Sequence, residues 1–247
     1  KTVFVNASNA SDNIVVTYYN YAEPYYKNVA FNEIATETNI SFYTSTQPVN
    51  KIVVQLFDGD DVLSIGTDVG TGTNPSNFPF NIQVNAGKGN DNISTGAGAD
   101  SLAGGDGNDA LSSGPGTDSL DGGGGTDQID GGTGVDWCMN TTRVSPLSLT
   151  LDGVANDGAA GENDNIQSSI ENITGGHGND TITGNSAGNI LIGGPGNDEL
   201  RGLDNNDVLY GNAGRDSMFG GPGNDLFYAL EPGEVDSMNG GAGFDMA

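Results

Sequence analysis

The chain has 247 residues, with 33 acidic against 7 basic side chains, a net charge of −26 and 41 glycines. That excess of negative charge argues against nucleic acid or an anionic membrane as partner. A single cysteine, Cys138, excludes an intrachain disulfide, and no run approaches the roughly 18 apolar residues of a membrane span. Lys1 opens the chain without a signal-peptide pattern, as expected of either a mature product or a fragment.

Residues 1–84 hold most of the tyrosines and four runs with strand character, TVFV (2–5), NIVVTYY (13–19), KIVVQLF (51–57) and FNIQV (80–84). FDGDDVLSI (57–65) keeps a Gly-x-Asp-x-Leu core with Asp61 and Leu63, and Asp12 stands two before Ile14. This third is either a degenerate continuation of the repeats that follow or a β-rich cap on their first coil. The cluster Tyr18, Tyr19, Tyr21, Tyr25 and Tyr26 suits either aromatic contact with a sugar or another subunit, or packing over the end of the fold.

In the first array, residues 85–139, one nine-residue phrase recurs in register from residue 86, as AGKGNDNIS, TGAGADSLA, GGDGNDALS, SGPGTDSLD, GGGGTDQID and GGTGVDWCM. Glycines at positions 1, 2 and 4 permit positive φ and close backbone approach, so six residues can form a tight turn. Position 6 is Asp91, Asp100, Asp109, Asp118, Asp127 and Asp136, a hard anionic oxygen of the kind Ca²⁺ prefers. Positions 7–9 form a short strand whose middle side chain faces inward: Ile93, Leu102, Leu111, Leu120, Ile129 and Cys138. Cys138 is thus expected to pack as a small buried hydrophobe. A nine-residue period of this composition is a signature of calcium-binding parallel β-coils.

Residues 140–174 break the period. Asp136 and Asp180 are one residue short of five repeats apart, which predicts an excursion. Within it LSLTLDG (147–153) has strand character, and residues 156–165 form an acidic loop. With Asp152, Asp157, Glu162 and Asp164 this segment suits either a calcium site of its own or a solvated turn. Glu171, nine before Asp180, predicts resumption of the repeat with glutamate in the aspartate role.

The second array, residues 175–247, places Asp180, Asn189, Asp198, Asp207, Asp216 and Asp225 nine apart. A two-residue insertion near Glu231–Gly233 precedes Asp236 and Asp245. The inward row continues as Ile182, Leu191, Leu200, Leu209, Met218, Phe227 and Met238. Asn189 and the displaced glycines of 184–192 predict a weak half-site there, and 202–210 keeps Asp207 without the glycines at positions 2 and 4.

These repeats resemble the repeats-in-toxin (RTX) β-roll family. The resemblance implies an all-β, right-handed parallel β-roll or β-solenoid in which two nonapeptides make one coil. Turns two repeats apart then stack and share one Ca²⁺ through carboxylates and carbonyls. On that reading the metal ligands are the position-6 acids of both arrays, with Asp61, Glu171 and the loop acids Asp152, Asp157 and Asp164, and roughly ten ions bind.

Catalysis finds little support in the residues. GNSAG (184–188) matches the G-x-S-x-G nucleophile elbow, but that motif needs a following helix and a histidine partner. His177 is the only histidine in the chain, and both it and Ser186 fall in repeat turns. Position 3 varies from Lys88 to Thr133 with no regular polar row, which argues against ice binding. The expected protein is non-catalytic, extracellular or on the cell surface, of bacterial type, and structural or adhesive. Its expected partners are calcium, a second copy end to end, and surface carbohydrate or matrix. The alternative is the calcium-dependent folding or secretion module of a larger secreted enzyme or toxin.

Overall fold

The structure, a computed structural model, describes residues 2–6, 13–19, 30–31, 38–43, 51–67, 81–229 and 235–247. Asp12, the tyrosines from 21 to 26 and the insertion at 231–233 lie outside them. Every regular element among the described residues is a strand. Two compact units divide the chain, Lys1–Gly134 and Val135–Ala247.

In the first unit two rows of parallel strands form. One row runs Ser119–Gly124, Ser101–Asp106, Asn81–Lys88, Lys51–Gln55, Thr2–Asn6 and Ala30–Phe31. The other runs Gln128–Asp130, Ala110–Ser112, Asn92–Ser94, Val62–Thr67, Asn13–Tyr19 and Thr38–Tyr43. The register follows the period, since Ile93, Leu111 and Ile129 are aligned in one row, and Val84, Leu102 and Leu120 in the other. These side chains are all buried, and the longer strands add Ile52 and Val54, Leu63 and Ile65, and Ile82 and Ala86 to the core. Burying each Leu or Ile contributes roughly 1.5–3 kcal/mol.

The N-terminal strands extend both rows, but stack order departs from chain order. Thr2–Asn6 pairs with Lys51–Gln55 on one side and Ala30–Phe31 on the other. Asn13–Tyr19 likewise lies between Val62–Thr67 and Thr38–Tyr43. The first strand pair of the chain is therefore internal, and the second is the outermost.

The second unit repeats the plan. Trp137–Met139, Asn172–Thr174, Ile190–Ile192, Val208–Tyr210 and Leu226–Tyr228 form one parallel row. Leu147–Thr150, Thr181–Thr183, Glu199–Arg201, Ser217–Pro222 and Ser237–Ala242 form the other. Cys138 is buried opposite Ile173 in register, as a core side chain. The strand expected in LSLTLDG pairs with the repeat strand Thr181–Thr183, so this part of 140–174 stands within the row. Met218 aligns with Met238, two residues beyond the usual spacing.

Candidate metal centre

The position-6 residues stack in columns; most are buried, while Glu171 and Asp236 are half-buried and Asp245 is exposed. In the first unit the Asp61 N–H donates to Asp91 Oδ1 at 2.7 Å, Asp91 N–H to Asp109 Oδ1 at 2.8 Å and Asp109 N–H to Asp127 Oδ1 at 2.9 Å. On the other edge the acceptors are Asp100, from Ile82 N–H, and Asp118, from Asp100 N–H, both at 2.8 Å.

In the second unit one column runs Asp136, Glu171, Asn189, Asp207, Asp225 and Asp245. Asp136 N–H donates to Glu171 Oε2 at 2.7 Å, so the glutamate fills the aspartate place. Asn189, Asp207 and Asp225 N–H donate in turn to the next carboxylate. The other column runs Leu147, Asp180, Asp198, Asp216 and Asp236 by the same bond. Leu147 occupies the place of an acid, and only its backbone takes part.

One oxygen of each carboxylate is thus used, and in Asp180 both are, since its Oδ2 accepts from Gly176 N–H at 2.8 Å. The other oxygen, Oδ2, of Asp91, Asp109, Asp198, Asp207 and Asp225 is buried with no hydrogen-bond donor in reach. A buried anionic oxygen without a donor is costly, and a cation answers that cost. Among the described residues no group of three or more His, Cys, Asp or Glu side chains gathers at one point. A cation here must therefore take part of its shell from backbone oxygens, which suits Ca²⁺ with its six to eight oxygen ligands.

Position 1 glycine has a different role from the one its composition suggests. It does not take positive φ in Gly104 or Gly122; a Cβ there would meet the carboxylate of Asp109 or Asp127 in the same repeat. Where position 1 is Thr95 or Ser113 the side chain stays buried, and its hydroxyl donates to the carbonyl of Ser113 or Gly131 at 3.0 and 2.9 Å.

A second column lies at position 5, where asparagine is frequent. Asn90 Oδ1 accepts from Asn108 N–H at 2.8 Å and Asn108 Oδ1 from Thr126 N–H at 2.9 Å. Asn179, Asn197, Asn206 and Asn224 do the same in the second unit. The asparagine accepts from the coil after it and the aspartate from the coil before it, so neighbouring coils clasp each other in both directions. The recurrent Asn-Asp dipeptide is the signal that could reveal this role.

The loop acids are placed otherwise. Asp157 is buried, with Oδ1 accepting from Thr150 N–H and Oγ1 and Oδ2 from Ile166 N–H. Glu162 accepts from Ala159 N–H and pairs with the Arg143 guanidinium. The backbones of Asp157 and Asp164 bond to each other in an antiparallel bridge, and exposed Asp152 accepts from Val154 N–H. Ser186 and His177 are exposed in turns, and the strand Ile190–Ile192 follows the GNSAG segment.

Burial drives Asp91, Asp100, Asp109, Asp118, Asp198, Asp207 and Asp225 toward the protonated form. It raises Asp100, Asp198 and Asp207 to about 7 and Asp109 to about 6, with neighbouring carboxylates adding to the shift and the accepted N–H bonds opposing it. A raised folded-state pKa means the folded chain holds more protons than the unfolded one between about pH 4 and 7. Protonation thus favours the metal-free fold fully below about pH 4, and that support is lost as pH rises through 6–7. In excess chelator, β-sheet circular dichroism should increase as pH is lowered from 7.5 to 5. A signal flat over that window contradicts the assignment.

The family model of the RTX calcium-binding nonapeptide repeat matches the chain in four copies, at residues 83–111, 104–138, 168–200 and 192–227. No curated protein matches the chain. The repeat phrase, the parallel stacked coils and the columns of buried aspartates agree with that match. Across residues 83–227 the chain belongs to the RTX calcium-binding nonapeptide-repeat family.

Proposed function

We propose that this protein is a calcium-loaded, non-catalytic β-roll that acts outside the cell in a structural or adhesive role. The observation that carries the reading is the set of stacked carboxylates whose second oxygens are buried without donors. Ten stacked acid pairs are joined by a carboxylate–N–H bond, four in the first unit and six in the second, which supports roughly ten ions. Each pair would lend one or two carboxylate oxygens to an ion, with turn carbonyls completing its shell. Bound Ca²⁺ supplies positive charge and coordination between coils. The same reading assigns the metal to the columns before the 152–164 loop, because both oxygens of Asp157 already accept hydrogen bonds.

The columns are unequal. Asp109 is paired with acids on both sides, Asp91 and Asp127, whereas Asp207 has an acid only in Asp225. One site at a hundred times its Kd adds about 2.7 kcal/mol, so Asp109→Ala should cost about 5 kcal/mol and Asp207→Ala about 3 at fixed calcium. Thermal midpoints at millimolar calcium check the ranking, and equal losses contradict it.

For the extracellular role, secretion is what membership of the family suggests. End-to-end association of copies is part of the same reading. Labelled protein should be retained on bacterial cell surfaces in calcium and released by chelator. Absence of retention favours the alternative of a calcium-dependent folding module of a larger secreted protein.

A further inference from the structure

One position in the metal columns carries an amide instead of an acid. Asn189 is as buried as the aspartates, but its side chain has no idle atom. Oδ1 accepts from Asn185 N–H at 2.8 Å, while Nδ2 donates to the Glu171 carbonyl at 2.8 Å and to Asn185 Oδ1 at 3.3 Å. In the same column Asp207 and Asp225 each keep a buried oxygen that meets no donor.

Three neighbouring asparagines make the same kind of bond. Asn185 Nδ2 donates to the Ile170 carbonyl at 3.5 Å, Asn172 Nδ2 to the Asp136 carbonyl at 3.4 Å and Asn140 Nδ2 to the Thr174 carbonyl at 3.3 Å. In each, an amide of one coil reaches a backbone oxygen of the adjacent coil. Carbonyl oxygens between stacked coils call for something positive, and an N–H dipole meets that need without a free ion, at no cost in net charge.

We infer that the turn joining Glu171 to Asn189 is a metal-independent latch, in which side-chain amides stand where calcium stands in the other turns. The inference rests on the proposed calcium-loaded columns. It reverses the expectation that Asn189 merely weakens its edge: the ion is absent there, but the joint is held by other means.

Two measurements test it. The first is native mass spectrometry of the whole chain at saturating calcium, comparing wild type with Asn189→Asp. The substitution removes the donor and places an acid between Glu171 and Asp207, so the variant should bind one or two more Ca²⁺ than wild type. An unchanged or lower count in a folded variant overturns the latch. A wild type that binds no calcium overturns the calcium reading itself, which keeps the two failures apart.

The second measurement needs no variant. Hydrogen exchange is followed in wild type as free calcium is lowered stepwise. Amides of Asn172–Thr174 and Ile190–Ile192 should stay protected to lower calcium than those of Val208–Tyr210 and Leu226–Tyr228. Loss of protection at 190–192 together with or before 208–210 overturns the inference, whether or not Asn189→Asp folds.

Discussion

Removal of calcium is expected to convert the chain from a compact β-rich form to an expanded one. The reason lies in the columns, where Asp91, Asp109 and Asp127 stack with one oxygen each accepting an N–H. Near neutral pH and without a cation, buried like charges face each other across adjacent coils, and the chain carries −26 with only 7 basic residues to offset it. Among the described residues the exposed ion pairs Lys88–Asp106 and Arg201–Glu199 help little, since such pairs are worth about 0–1 kcal/mol. Roughly ten Ca²⁺ would bring about +20 and, at a hundred times Kd, about 2.7 kcal/mol each. Circular dichroism and small-angle scattering in excess chelator at pH 7.5 should therefore show loss of sheet and a larger radius of gyration. Sheet content and radius unchanged after time for slow release contradict this.

The second large effect is expected at a position 4 glycine. Gly107 has φ of 144°, and a Cβ built on it would collide with the backbone carbonyl of Gly89 in the adjacent coil. That oxygen belongs to the neighbouring coil's own turn and cannot rotate aside. Backbone strain of about 1–3 kcal/mol adds to an overpacking cost of about 1–3 kcal/mol, so Gly107→Ala should lose about 2–6 kcal/mol. The turn it distorts also presents Asp109, so calcium affinity should fall with stability. Lys88→Ala, at the exposed position 3, is the matching control and should stay within about 0.5 kcal/mol. Similar calcium-titration midpoints for the two variants contradict the close-packed turn.

Much of this architecture is legible in the chain because two local demands repeat every nine residues. The turn needs glycine where coils approach, and the strand needs one apolar residue between two outward ones. Those demands locate the inward rows through Ile93, Leu111 and Ile129, and the spacing alone places the insertion before Asp236. Glu171 is visible for the same reason, since nine residues separate it from Asp180.

What escapes the sequence is what depends on non-local pairing or on variable positions. The N-terminal runs announce strands, but nothing in TVFV says that it lies between residues 30–31 and 51–55, because that order is set by pairing across long separations. Leu147 sits in the aspartate column through its backbone alone, so no acid marks the place. Position 5 is hard to see as a column because Ala99, Thr126 and Val135 interrupt the asparagines. The latch at Asn189 reads from sequence as a defect, since its compensating bonds come from Asn185, Asn172 and Asn140, which lie outside any repeat pattern.

The most direct test of calcium as the staple of this fold is a titration of the chelated chain in which bound ions and sheet content are recorded together. Native mass spectrometry and circular dichroism on the same samples would give both. The columns predict about ten ions at saturation, with sheet signal rising as they bind. A full sheet signal with no ions bound, or with one or two that leave the signal unchanged, would contradict the account.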